Sequence, residues 1–197
     1  MCSSDLTVQL AHRTRGEVCV VGESRTFNVK ALDNLTLPAA DQAALTAFQD
    51  QALNLIRTLN GTQRVLGEAQ EQVALLKKAL DDAPSADAPA LRARVVKAQD
   101  ALRSISIRLN GDWEVRAREE SAPPSLADRV NRMSSTFSSR SAPTRTQQRA
   151  YEIVSGALGG VIDELRGQLD ALRTIGDAAE AAGAAWTPGR IPVWTGK

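Results

Sequence analysis

Residues 40–80 decide the fold: Ala40-DQAALTAFQDQALNLIRTLNGTQRVLGEAQEQVALLKKA-Leu80. Steps of four and three from Leu45 land on Phe48, Ala52, Leu55, Leu59, Thr62, Leu66, Ala69, Val73, Leu76 and Leu80, and only Thr62 is polar. Between them lie mostly Gln, Asn, Asp, Arg, Lys and Glu. A spacing of about 3.5 residues sustained this far predicts one long helix with a single apolar seam. About 40 helical residues rise roughly 60 Å. Such a seam cannot be buried alone, so the rest of the chain is expected to supply its partners.

The last long segment answers the first. Tyr151, Val154, Leu158, Val161, Leu165, Gln168, Leu172, Ile175 and Ala179 form a second seam, which opens at Thr144 and Gln147 in capping-box spacing and stops at Gly183. Gly156, Gly159, Gly160 and Gly167 within it predict tight packing against a neighbour, at some cost in helix propensity. Between the seams, Leu91, Val95, Ala98, Leu102, Ile105 and Leu109 predict a helix of about half that length, ending at Asn110-Gly111. A further short helix is expected from Leu126 to about Phe137, introduced by Ser125 with Asp128 three residues on. The expected fold is mainly α: a long antiparallel helical bundle whose middle layer is split into two shorter helices, broken by the polar excursion 110–124. An ordinary four-helix bundle fits less well, because the two middle helices are too short to cover the other two.

A small β segment precedes the bundle. Residues 7–12 alternate weakly, 18–21 is a short apolar run that Gly22–Ser24 can break, and 25–32 alternates again. Two or three strands are expected, marginal by themselves and with edges to cover or pair. The strands read as the last of a β-sandwich whose remainder lies upstream, with an isolated small sheet packed on the helices as the competitor; the domain reading is 1–35, a β-strand remnant of an upstream domain, and 36–197, the helical bundle with an extended Trp/Pro tail. Trp186, Ile191 and Trp194 are expected to anchor that tail against the bundle.

Composition narrows the function classes. With 24 Lys+Arg against 23 Asp+Glu and 4% aromatics, no bulk charge favours nucleic acid or acidic partners. No apolar stretch reaches the length of a membrane span, and no signal peptide is visible at residue 1. One histidine, His12, and two cysteines, Cys2 and Cys19, give neither metal-ligand spacing nor a disulfide framework. Cys19, in a strand-like apolar run, is expected to be a buried thiol; whether it pairs with Cys2 is open. No nucleotide-binding glycine loop is present, because Gly156-x-x-Gly159-Gly160 lies inside a helix. Asn34-Leu-Thr36 and Asn60-Gly-Thr62 match the glycosylation sequon, which matters only in a eukaryotic secretory pathway. No catalytic, cofactor-binding or metal residues are assigned and no cofactor is implied. The interaction candidates are Trp113, Arg116, Glu119 and Glu120 in the excursion, and Trp186 and Trp194 in the tail.

Several junctions together carry a resemblance. They are Arg25-Thr-Phe-Asn-Val-Lys-Ala-Leu32, Leu37-Pro-Ala-Ala-Asp41, Leu109-Asn-Gly-Asp112, Ala122-Pro-Pro-Ser125, Ser141-Ala-Pro-Thr144 and Ala182-Gly-Ala-Ala-Trp-Thr-Pro-Gly-Arg-Ile-Pro192. Over about residues 7–194 the chain resembles the C-terminal region of bacterial exported proteins with sortilin-like β-propellers. Those proteins are often labelled Asp-box repeat or glycosyl hydrolase proteins. The resemblance implies that residues 8–32 complete an immunoglobulin-like sheet, that the parent protein is exported (periplasmic or extracellular), and that any enzymatic label belongs to the propeller. The functional expectation is a non-catalytic accessory or scaffold domain. It would pack on the upstream portion of its parent or contact another protein, with no nucleic acid and no membrane span. The alternatives are a fragment of a glycoside hydrolase-like enzyme and a homo-oligomerising helical module.

Overall fold

The computed structural model describes residues 4–29, 37–184, 186–191 and 194. Two strands, β1 (Ser4–Thr14) and β2 (Glu17–Val29), are followed by five helices: α1 (Gln42–Asp81), α2 (Ala88–Asn110), α3 (Trp113–Ala117), α4 (Leu126–Met133) and α5 (Arg145–Ala181). A 3-10 turn, Ser134–Ser138, extends α4. The fold is the expected mainly helical bundle with a divided middle layer, preceded by a small antiparallel β segment.

Contacts along the helices fix the layer directions. At the start of α1, the Ala39 amide donates to the Arg140 carbonyl at 2.8 Å and Gln49 Nε2 to the Thr136 carbonyl at 2.7 Å. Halfway along, Gln63 Nε2 donates to Asn110 Oδ1 at the end of α2 at 2.6 Å. Beyond the far end of α5, Gly183 stands against Pro84, in the connection that follows α1: a β-carbon there would sit 3.4 Å from Pro84 Cγ. Helices α1 and α5 therefore run in the same direction, and α2 and α4 return between them.

The seams close on one another. Leu59, Leu66, Leu76, Leu102, Ile105, Leu109, Val154 and Leu172 belong to one continuous core. Phe48 and Leu55 are half-buried, and the Phe48 ring meets Tyr151 at 5.7 Å, tying the outer ends of α1 and α5. Buried Thr62 is satisfied locally, its hydroxyl donating to the Thr58 carbonyl at 2.8 Å. That residue completes the Asn60 sequon, which lies inside α1; the Asn34 sequon falls outside the described residues.

Helix ends follow their side chains. Asp41 caps α1 by accepting from the Ala44 amide at 2.9 Å. Thr144 and Gln147 form the expected capping box on α5. At the other end of α5 the Ala184 amide donates to the Ala179 carbonyl and the Gly183 amide to the Glu180 carbonyl, both at 3.0 Å. With Gly183 at φ 80, this is a Schellman termination.

Several expectations are corrected. The glycines of α5 do not mark tight packing: a β-carbon at Gly156, Gly159, Gly160 or Gly167 would meet nothing within 4 Å. The last turn before Ser139 is 3-10, so Phe137 swings to the surface and Thr136 takes the buried place. Gly22–Ser24 does not end a strand. It is absorbed as an irregularity within β2, where Val8 pairs with Arg25 and Leu10 with Val21. Cys19 is exposed rather than buried, opposite His12 across the hairpin, and Cys2 lies outside the described residues. The labels sortilin-like, propeller-associated and glycosyl hydrolase-like do not describe this architecture. The described residues are mainly helical, with a single two-stranded sheet.

Candidate functional site

The excursion between α2 and α4 is more ordered than its polarity predicts. Gly111, at φ 91, ends α2, and Asp112 then caps the five-residue helix α3 by accepting from the Glu114 amide at 3.0 Å. The guanidinium of Arg116 folds back over Gly111 and grips Asp128, with Nη2 at 2.7 Å from Oδ1 and 2.6 Å from Oδ2. Asp128 also receives the Ser125 amide at 2.9 Å and the Ser125 hydroxyl at 2.7 Å. Hydrogen bonding from the Ser125 hydroxyl, helped by the Ser125 amide and by Arg116, holds the Asp128 carboxyl below its usual range.

The structure does not gather the interaction candidates into one site. Arg116 is committed to Asp128, and Arg118 Nε donates to Glu120 Oε1 at 2.9 Å. Glu119 sits at φ 57, in the left-handed region, where the chain turns out of α3. Glu119 and Glu120 are both exposed. Trp113 is 71% exposed. It stands at the end of a shallow groove of about 610 Å³ between α1 and α2, whose polar rim includes Lys77, Gln99 and Arg103. Arg103 is held by Glu114 at 2.7 Å, and Lys77 by Gln99.

The tail is anchored otherwise than expected. Ile191 is 90% and Trp194 84% exposed, and Trp186 is half-exposed. Its attachment is polar: Thr187 is buried, the Arg190 amide donates to the Thr187 carbonyl at 3.1 Å, and the Arg190 guanidinium bridges Asp177 and Glu180 on α5. Those two carboxylates raise the Arg190 pKa. The Arg190 guanidinium, rather than the aromatic groups, holds the tail.

The feature that sequence reading undervalued is the hairpin. Every residue from Leu6 to Val29 is exposed. Cross-strand pairing of Leu6 with Phe27, Leu10 with Val21 and His12 with Cys19 puts these residues on one face together with Val8 and Val29. Leu10 is 70% exposed and Val8 55%.

Among the described residues no group of three or more His, Cys, Asp or Glu is placed to hold a metal ion. No helix among them is long and apolar enough to cross a membrane. No family model, no curated protein and no solved structure matches the chain.

Proposed function

We propose that the chain is a non-catalytic accessory scaffold. Its closed helical bundle carries the β1–β2 hairpin as an element for contact with another protein surface. That surface belongs either to an upstream portion of its own parent polypeptide or to a separate chain. The observation that carries this reading is the contrast between the two parts. The helical seams bury their apolar residues against each other, while the hairpin exposes Leu6, Val8, Leu10, Val21, Phe27 and Val29. A lone two-stranded hairpin is marginal in water, and a cluster of exposed apolar residues such as this one, interrupted only by Arg25 opposite Val8, is a usual mark of an interaction surface. The excursion supports the same reading. Glu119 is exposed, Glu114 and Glu120 are bound to Arg103 and Arg118, and Asp112 caps α3, an arrangement of surface charges and a helix cap rather than of an acid–base pair.

Limited proteolysis of the chain at low micromolar concentration, followed by mass determination, tests the proposal. The expected result is early loss of about the first 35 residues and a resistant fragment from about residue 38 to residue 194. Uniform resistance from residue 7 onward would mean the hairpin is covered by its own chain, and the contact reading would fall.

A further inference from the structure

The end of α5 lacks positive charge of its own. Asp177 and Glu180 stand there, at the end that carries a helix's partial negative charge, and the last turn holds no basic residue. Carboxylates are disfavoured at that end and a cation is favoured. Arg190 supplies the cation from ten and thirteen residues along the chain. Past the Gly183 stop, residues 187–190 turn back, with Gly189 at φ 79 and the Arg190 amide on the Thr187 carbonyl at 3.1 Å. The turn delivers one guanidinium to both carboxylates. A planar fork suits that task, because its separate N–H groups reach separate acceptors. Among the described residues of the tail, only Thr187 is buried.

We infer that residues 187–191 form a strap fastened by charge, and that unfastening it turns the Arg190–Ile191 bond into a cleavage site for trypsin-like proteases. Such a protease takes the arginine side chain into an acidic pocket and binds the chain around the bond in extended form. The fastened strap denies it both. The guanidinium is occupied by Asp177 and Glu180, and the residues before the bond are folded into a turn. Ile191, just past the bond, already stands in solvent at 90% exposure. Once the strap opens, water can add across the bond in the protease, leaving a carboxylate on Arg190 and an amino group on Ile191. The cut severs Trp194 from the bundle. The fastening is weak by nature. The Asp177 and Glu180 side chains are 61% and 51% exposed, where ion pairs contribute little and dissolved salt screens them. The strap therefore exchanges between fastened and open forms, and ionic strength sets the balance. None of this depends on the contact reading of the hairpin.

The test is tryptic cleavage of the full chain, with initial rates at individual bonds read by mass spectrometry. Arg15–Gly16, in the exposed hairpin turn, is the internal reference for the protease's own response to salt. Between about 10 mM and about 1 M sodium chloride the Debye length falls from about 30 Å to about 3 Å. Over that range the rate at Arg190–Ile191, relative to the reference, is expected to rise about tenfold. Asp177→Asn with Glu180→Gln should give the same rise at low salt and remove the salt dependence. Arg190→Lys keeps a cleavable cation but loses the fork, and should fall between the two. Hydrogen exchange at the Arg190 amide, measured without protease, should quicken in parallel. A relative rate indifferent to salt and to the double variant overturns the proposal, as does cleavage of the native chain at low salt as fast as that of the double variant. Faster cleavage without faster exchange would place the effect outside the strap and overturn it too.

Discussion

Ser125 and Asp128 hold each other reciprocally: the Ser125 hydroxyl donates to Asp128 Oδ2 at 2.7 Å and accepts from the Asp128 amide at 3.1 Å. The pair starts α4, and through Arg116 it ties the excursion to the bundle. Because Asp128's pKa is lowered from an ordinary value of 3.8, its stabilising effect is fully present above that value. The effect is lost as pH falls through the lower folded value. Denaturant unfolding at pH 7 should show Ser125→Ala costing about 1 kcal/mol, the usual worth of a cap. Between pH 4 and 2 the variant should lose less stability than the native chain. An equal loss in both would show that Ser125 does not set the Asp128 titration.

The open glycines of α5 offer stabilisation. At Gly156, Gly160 and Gly167 a β-carbon meets nothing within 4 Å and the backbone is helical. Each Gly→Ala change should add about 0.5–1 kcal/mol. The triple variant should melt several degrees higher. A lower melting point would mean that a neighbour does approach this face.

Gly183 is the opposite case. It sits at φ 80 with Pro84 at 3.4 Å from any added β-carbon. Gly183→Ala should cost about 1–2 kcal/mol, because the left-handed conformation is strained for other residues. Thermal melts would measure this, and an unchanged midpoint would argue against the Schellman stop.

Core and hairpin should respond differently to truncation. Leu172 and Leu102 are fully buried, so Leu→Ala at either should cost about 2–5 kcal/mol. Leu10→Ser, at a 70% exposed position, should leave the helical melting transition within about 0.5 kcal/mol of the native chain at low concentration. A cost comparable to the core substitutions would place Leu10 in a folded interior.

The bundle was legible in the sequence because its signals are local and periodic. The seams from Leu45 and Tyr151, the caps at Ser125 and Thr144, and the stop at Gly183 each rest on neighbours within a turn or two. The interaction candidates were not assembled by the same reasoning. Whether Arg116 reaches Glu119 or Asp128, and whether Trp113 packs or stays exposed, depends on where an excursion folds back onto a helix. Spacing carries no such information. The α5 glycines misled for a related reason. Composition records a missing side chain, and only the packed neighbours decide whether anything fills its place. For the hairpin, alternation located strands but overlooked that Gly22–Ser24 could be absorbed within one.

On the proposed scaffold reading, the helical bundle holds its fold without residues 4–29, whose hairpin is stabilised only by a partner. Segment-resolved hydrogen exchange of the chain at about 1 μM tests it most directly. The account predicts slow exchange in α1, α2 and α5, near the limit of global unfolding, and fast exchange across β1 and β2. Exchange in β1 and β2 as slow as in α1 at that concentration would contradict it.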